Sequence, residues 1–309
     1  MCKTIALICL SVLLVAGCNR RNAQSLELTL DWKPEPEFGG FYAAQLGGHF
    51  TKHGLNVVIK PAGEGADTWQ LVATGKTDFA TTSADQVLIA RRSGADIMTV
   101  FAVYQTFPQG IMVHKARGFS SIKDVFTHDG TLLAEDNSWL RLLHKKLGPA
   151  KVKIATYSGG IAEFLARPDY SQQCFVTSEP ILARHRGSDP QTFLIADEGF
   201  NPYTTVVICK ADLWRTNPAR VRAMVAACRE GWRAYLDDPN PANAAMHGLN
   251  PDMDLQTFTE AAAAQKPLIQ TDKPLGTMTA DRWNALADQL VDLGVIDNSI
   301  HGQDCFVNP

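Results

Sequence analysis

From residue 25 onward the chain alternates short apolar runs with amphipathic stretches. "LELTLDW", "NVVIK", "TDFATT" and "IMTVFAVY" read as strands, each rich in aliphatic, β-branched or aromatic residues. Between them, "FYAAQLGGHFTKHG", "ADTWQLVATG" and "ADQVLIARRSG" carry helical spacing and end on Gly54, Gly75 and Gly94, as a left-handed cap requires. The middle of the chain repeats the theme. "GTLLAE", "VKIATY", "QQCFVT" and "TFLIA" read as strands, and "NSWLRLLHKKLG", "GGIAEFLA" and "EPILARHR" as the helices among them. "TTVVICK" adds one more strand, and the remainder is mostly helical: "NPARVRAMVAACREGWRAYL", "DLQTFTEAAAAQ" and "TADRWNALADQLVDLG".

Strands alternating with helices predict βαβ units and sheets covered on both faces. Two such blocks and a helical tail predict an α/β protein of two lobes, each a mostly parallel sheet flanked by helices. The chain is expected to cross between lobes near residues 112–114 and to return near 203–206. Lobe 1 would then hold 26–112 plus 206–309, with lobe 2, 113–205, inserted. Paired crossings make hinges, and the cleft between lobes is a natural ligand site.

Composition narrows the classes. Hydrophobic residues make up 45% and charged residues 20% of 309, enough for a sizeable core. A net charge of −3 carries no nucleic-acid footprint. The first residues differ from the rest: "MCKTIALICLSVLLVAGCNRR" has Lys3, an apolar run too short to span a membrane, then Gly17-Cys18. "LLVAGC" resembles the bacterial lipobox. That resemblance implies a signal peptide over 1–17 and lipid on Cys18, anchoring the chain at the cell envelope without a spanning helix. Of seven cysteines, Cys174, Cys209, Cys228 and Cys305 remain after Cys2, Cys9 and Cys18. Their spacing names no disulfide pairing and no zinc pattern, and buried free thiols are expected.

Ligands in such sheets bind beyond the carboxyl ends of the strands. That rule selects Asp31 and Trp32, then Ser83 and Asp85, Tyr104, Ser138 and Trp139, Tyr157 and Gly159, and Glu179. Phe38 and Tyr42 flank Gly39-Gly40 just after the first strand and extend the aromatic set. Pro34 and Pro36 stiffen the loop that carries Trp32. Aromatic faces suit stacking, carboxylates accept N–H donors, and the helix starts at Ser83, Ser138 and Gly160 offer free N–H groups. A flat, uncharged or cationic ring fits this set. Each residue also has a packing role open to it, Trp32 as a plug and Glu179 as a first-turn acid.

The sequence has no G-x-S-x-G, H-E-x-x-H, Walker or G-x-G-x-x-G motif. His49 and His53 lie four apart on a predicted helix, and without a third ligand they read as a solvated face.

"LDWKPEPEFGGFYAAQLGGHFTKHGLNVVI" resembles the opening of periplasmic solute-binding proteins of the thiamine-pyrimidine, sulfonate and nitrate uptake group. The matching positions are Leu30, Trp32 and Pro34, then Gly48, Phe50, Gly54, Leu55 and Val57. "LVATGKTDFA", "CFVTSEPILA" and "GTMTADRWNALADQLVDLGVID" are similar to later segments of that family, so the resemblance covers nearly all of 26 to 297. It implies a type II periplasmic binding fold and a monomeric extracytoplasmic receptor. Such a receptor needs no cofactor or metal and delivers a small molecule to the permease and ATPase of an ABC importer. Carried over by position, Trp32 and Tyr104 would stack on a pyrimidine ring and Glu179 would bind its amino groups. Riboflavin, a sulfonate or nitrate are the alternative ligands. The same fold includes a fungal enzyme that builds the thiamine pyrimidine. Its lysine and histidine fall at Thr82 and Gln86 here, and its cysteine cluster falls at "NPYTT", so the resemblance favours binding over synthesis. A sensor subunit without a transporter has the same outline.

Overall fold

The computed structural model describes residues 25–62 and 67–309. The signal peptide expected over 1–17 and the expected lipidation site Cys18 lie outside them. Among the described residues no helix is long and apolar enough to cross a membrane.

The chain begins β1 (Leu26–Leu30), α1 (Gly39–Leu46), α2 (His49–Lys52), β2 (Val57–Pro61), α3 (Thr68–Thr74), β3 (Phe79–Thr82), α4 (Ala84–Arg92) and β4 (Ile97–Tyr104). It continues through β5 (Gln109–His114), α5 (Ile122–Thr127), β6 (Thr131–Leu133), α6 (Ser138–Leu147), β7 (Lys153–Ala155), α7 (Ala162–Ala166), β8 (Tyr170–Phe175), α8 (Glu179–His185) and β9 (Pro190–Leu194). It closes with β10 (Thr204–Lys210), α9 (Ala211–Thr216), α10 (Pro218–Asp237), α11 (Asn240–Leu249), α12 (Leu255–Ile269) and α13 (Ala280–Asp292).

These strands form two five-stranded sheets of matching design, β2-β1-β3-β10-β4 and β7-β6-β8-β5-β9. In each, one strand runs against its neighbours: β10 between β3 and β4, β5 between β8 and β9. These two are the exchanged strands, each reached directly from the other sheet. The architecture is the expected pair of helix-flanked, mostly parallel sheets. The crossing comes earlier than its expected position at 112–114. The chain leaves the first sheet after Tyr104 and joins the second at Gln109, so Met112 and Val113 lie within β5. It returns over 199–203, just ahead of β10.

Apolar periodicity explains the packing. β3 and most of β4 are buried along their length, as strands covered on both faces must be. The predicted helix "FYAAQLGGHFTKHG" is broken in two at Gly47-Gly48, where Gly48 takes φ +67. Gly39 and Gly40 open α1 and face α10: a Cβ on Gly40 would sit 2.2 Å from the Trp232 ring. Gly231 opposite leaves room for the Gly40 carbonyl. The two helices therefore pack backbone against side chain, with Phe41 edge-on to Trp232 at 5.8 Å. At the carboxyl end Phe306 stacks on Trp283, and Val307 donates to the Thr99 carbonyl at 2.9 Å, covering the open edge of β4. Cys174, Cys209, Cys228 and Cys305 are buried free thiols.

Candidate functional site

A cleft of about 240 Å³ opens where the two sheets face each other, and strand ends from both supply its walls. From the first lobe come Asp31, Trp32, Glu35 and Glu37 on the loop after β1. From the second come Gln109 at the start of β5, Glu135 after β6, Tyr157 after β7, and Gln173, Cys174, Phe175, Ser178 and Glu179 around the end of β8.

The β1 loop is fixed by the helical tail. Prolines 34 and 36 restrict it, and a single 3-10 turn, Pro36–Phe38, lies buried beneath it. Asn250 donates to the Pro34 carbonyl at 3.2 Å, and Gln265 of α12 to the Pro36 carbonyl at 2.8 Å. The Asp31 N–H donates to Thr81 Oγ1 at 2.9 Å, and the Thr81 hydroxyl returns a bond to the Asp31 carboxylate. Trp32 is left 38% exposed on this rigid support and lines the open space.

On the opposite wall Glu179 accepts from the Phe175 N–H at 2.8 Å and from the Tyr157 hydroxyl at 3.1 Å. Ser178 reaches across the cleft and donates to Glu35 at 3.2 Å. Burial, and next the repulsion of Glu179, push the Glu35 carboxyl up to about 7, against the pull of Ser178, Trp32 and Lys33. Burial likewise raises Glu37, and repulsion from Glu35, Asp31 and Glu179 adds to it. Burial raises Glu179 against the pull of its own N–H, the Phe175 N–H and the Tyr157 hydroxyl. Asp31 has open surface toward the cleft, yet protein crowds it closely enough to raise it as well, against its bond from Thr81. Several acids thus compete for charge in one small space, and among the described lining residues none is basic.

Four of the residues expected from the strand-end rule, Asp31, Trp32, Tyr157 and Glu179, come together here. The rest lie elsewhere. Tyr104, expected to stack, is fully buried beneath the loop; its hydroxyl donates to Gln265 at 2.6 Å and its ring meets the edge of Phe175. Phe38 and Tyr42 are core residues, packed with the α1–α10 interface, and burial lifts Tyr42 to about 12. Trp139, in the first turn of α6, is a core residue. Ser83, Asp85 and Ser138 form a separate polar junction at the amino ends of α4 and α6. The buried Asp85 accepts from both serines and from the backbone at its own helix start, so those N–H groups already have their anion. Gly159 and Gly160 both have positive φ in the loop before α7, which starts only at Ala162; they form a turn and not a helix start.

Glu35, Glu37 and Glu135, with the amides Gln109 and Gln173, escaped the sequence reading. Glu35 and Glu37 had a signal: acids alternating with prolines in "KPEPEF" stand on a loop too stiff to swing them into solvent. Away from the cleft, His49 and His53 both bond Glu230 of α10, at 3.0 and 3.1 Å, pinning α2 to the first lobe.

The chain is similar to known proteins over nearly its full length. It is 24% identical to the riboflavin-binding protein RibY of Chloroflexus aurantiacus, over 92% of this chain and 85% of that one. It is 20% identical to the formylaminopyrimidine-binding protein of Halalkalibacterium halodurans, over 98% and 97%. The periplasmic aliphatic sulphonate binding protein SsuA of Escherichia coli superposes with a TM-score of 0.70 at 13% identity, over 92% of each chain, a likeness of fold. A model of the family described as NMT1/THI5 like matches residues 35–242. That match spans more than half of the 309 residues, and the chain belongs to the NMT1/THI5-like family.

Proposed function

We propose that the protein is an extracytoplasmic solute-binding lipoprotein, held by lipid on Cys18, that delivers a small heteroaromatic ligand to an ABC importer. The ligand class that fits best is an amino-bearing pyrimidine of the thiamine-precursor kind. The observation that carries this reading is the wall-to-wall arrangement of Trp32 on one lobe and Tyr157, Phe175 and Glu179 on the other, around one space of about 240 Å³. An exposed indole on a rigid loop offers a stacking face at little entropic cost. Glu35, Glu37 and Glu179 supply acceptors for ring amino groups. The relatives named for riboflavin and for formylaminopyrimidine both take flat nitrogen heterocycles, which supports the ring. The work is binding and hinge closure about residues 105–108 and 199–203, with no bond made or broken.

Isothermal titration of the mature chain with aminopyrimidines, riboflavin, sulfonates and nitrate tests the reading. Binding of an aminopyrimidine supports it; binding of a small inorganic anion alone sinks it.

A further inference from the structure

Glu37 is 8% exposed and lines the cleft, yet among the described residues no group donates a hydrogen bond to it and no cation pairs with it. Its carboxyl oxygens open to the cleft, so only what occupies that space can donate to them, and a charged carboxylate so crowded is costly until a donor is there. Here the neighbours raise the cost. Glu35 and Asp31 press on Glu37 from its own loop and Glu179 from α8, and all three repel it. Glu135 stands at the rim. Of the other titratable groups nearby, the Tyr104 and Tyr157 hydroxyls and the Cys174 thiol are held neutral by burial. Lys33 offsets part of the charge on Glu35 from outside the lining.

The other acids have donors: Thr81 for Asp31, Ser178 for Glu35, Tyr157 and the Phe175 N–H for Glu179. Glu37 alone among these four is left over. A neutral ring would be served by one or two acceptors, and an anion would find no cation among the described lining residues. Carboxylates gathered from two lobes, the most buried of them without a donor, match a ligand that brings positive charge.

Resting on the reading that this cleft takes an amino-bearing heteroaromatic, we propose that the ligand is bound as a cation, with Glu37 accepting its charged N–H donor, and that its entry displaces protons from the cleft carboxyls to solvent. Each proton lost goes to buffer, so the charge brought in is matched by carboxylate charge uncovered. Glu37 is then the residue that selects cation over neutral ring.

Titration calorimetry on the mature chain, run at neutral pH in two buffers of different ionisation enthalpy, tests this. The probes are an aminomethyl-substituted aminopyrimidine, which is a cation, its neutral hydroxymethyl counterpart, the non-aromatic cation agmatine, and ethanesulfonate. The expected result is at least about tenfold preference for the aminomethyl compound over the hydroxymethyl one, with buffer-dependent heat that reports proton release. Glu37→Gln keeps the volume and removes the charge. It should abolish most of that preference while raising the ligand-free melting temperature, a combination that a merely structural carboxylate would not give. Equal or tighter binding of the hydroxymethyl compound, or no proton release, overturns the proposal while leaving the heteroaromatic reading intact. Agmatine binding without either pyrimidine supports the cation and sinks the ring. Ethanesulfonate binding alone, or no binding by any probe, overturns both.

Discussion

Arg282 of α13 donates to both the backbone carbonyl and the side-chain oxygen of Asn201, at 2.9 and 3.0 Å. The same Asn201 oxygen accepts from the Phe107 N–H at 2.8 Å. Arg282 also bonds the carbonyls of Gln105 and Pro202 and lies 4.0 Å over the Tyr203 ring. One guanidinium therefore ties both connections between the lobes to a helix of the first. Arg282→Ala leaves several carbonyls without their charged donor and should cost about 3 kcal/mol in urea unfolding. Arg282→Lys should recover only part, because a point ammonium cannot span the fork of acceptors. Wild-type stability in Arg282→Ala would show that the connections hold themselves.

Trp32 and Tyr104, both expected to stack, should behave oppositely. Trp32→Ala removes an exposed ring from the cleft wall and should weaken an aromatic ligand with the melting temperature nearly unchanged. Tyr104→Phe strips the hydroxyl from a buried bond to Gln265 and should cost about 1–2 kcal/mol of stability. A Tyr104→Phe effect confined to affinity would put that ring in the site.

Glycine positions supply an internal control. Gly40→Ala places a methyl 2.2 Å from the buried Trp232 ring and should destabilise by about 2 kcal/mol or more, read by denaturant midpoint. Gly248→Ala lies near the exposed end of α11 with open space around it, and should be neutral or stabilise by about 0.5–1 kcal/mol.

The cleft acids set a pH dependence. Burial and repulsion from Glu179 lift Glu35 from 4.5 to about 7 in the folded chain. Over that interval the folded state holds a proton that the unfolded chain has lost. The contribution of Glu35 to stability is thus complete below about 4.5 and disappears as pH rises through about 7. Ligand-free protein should show a urea midpoint that falls across this range, and Glu35→Gln should flatten the fall. A cationic ligand, needing the charged carboxylates, should bind more tightly as pH rises through the same window. A midpoint that stays flat across it, or rises, would show that Glu35 is not raised in the folded chain.

The alternation of apolar runs and amphipathic stretches made both sheets legible, because strands covered on two faces and helices covered on one leave different periods. β5 was missed since Gln109–His114 follows Pro108 so soon after β4 that it reads as a continuation. α5 and α11 are short or rich in Ala and Asn, and carry little period. At the site, the strand-end rule located Asp31, Trp32, Tyr157 and Glu179 but cannot tell an outward ring from an inward one. Tyr104 turns inward because its partner, Gln265, stands 161 residues away, a pairing no local pattern contains. Ser138 likewise found an internal acid, Asp85, across the lobe boundary, while Ser83 caps the same acid two residues away.

The anchors of the Trp32 loop have a temporal meaning. Asn250 lies 216 residues beyond Pro34 and Gln265 lies 229 beyond Pro36. The lip of the cleft, encoded almost at the start of the fold, waits for nearly the last helices before it can set. Such distant closures come late in folding because their loop entropy must be offset by structure already formed. The placement of Trp32 and Glu37 against the opposite wall thus draws on segments of the chain that are made last.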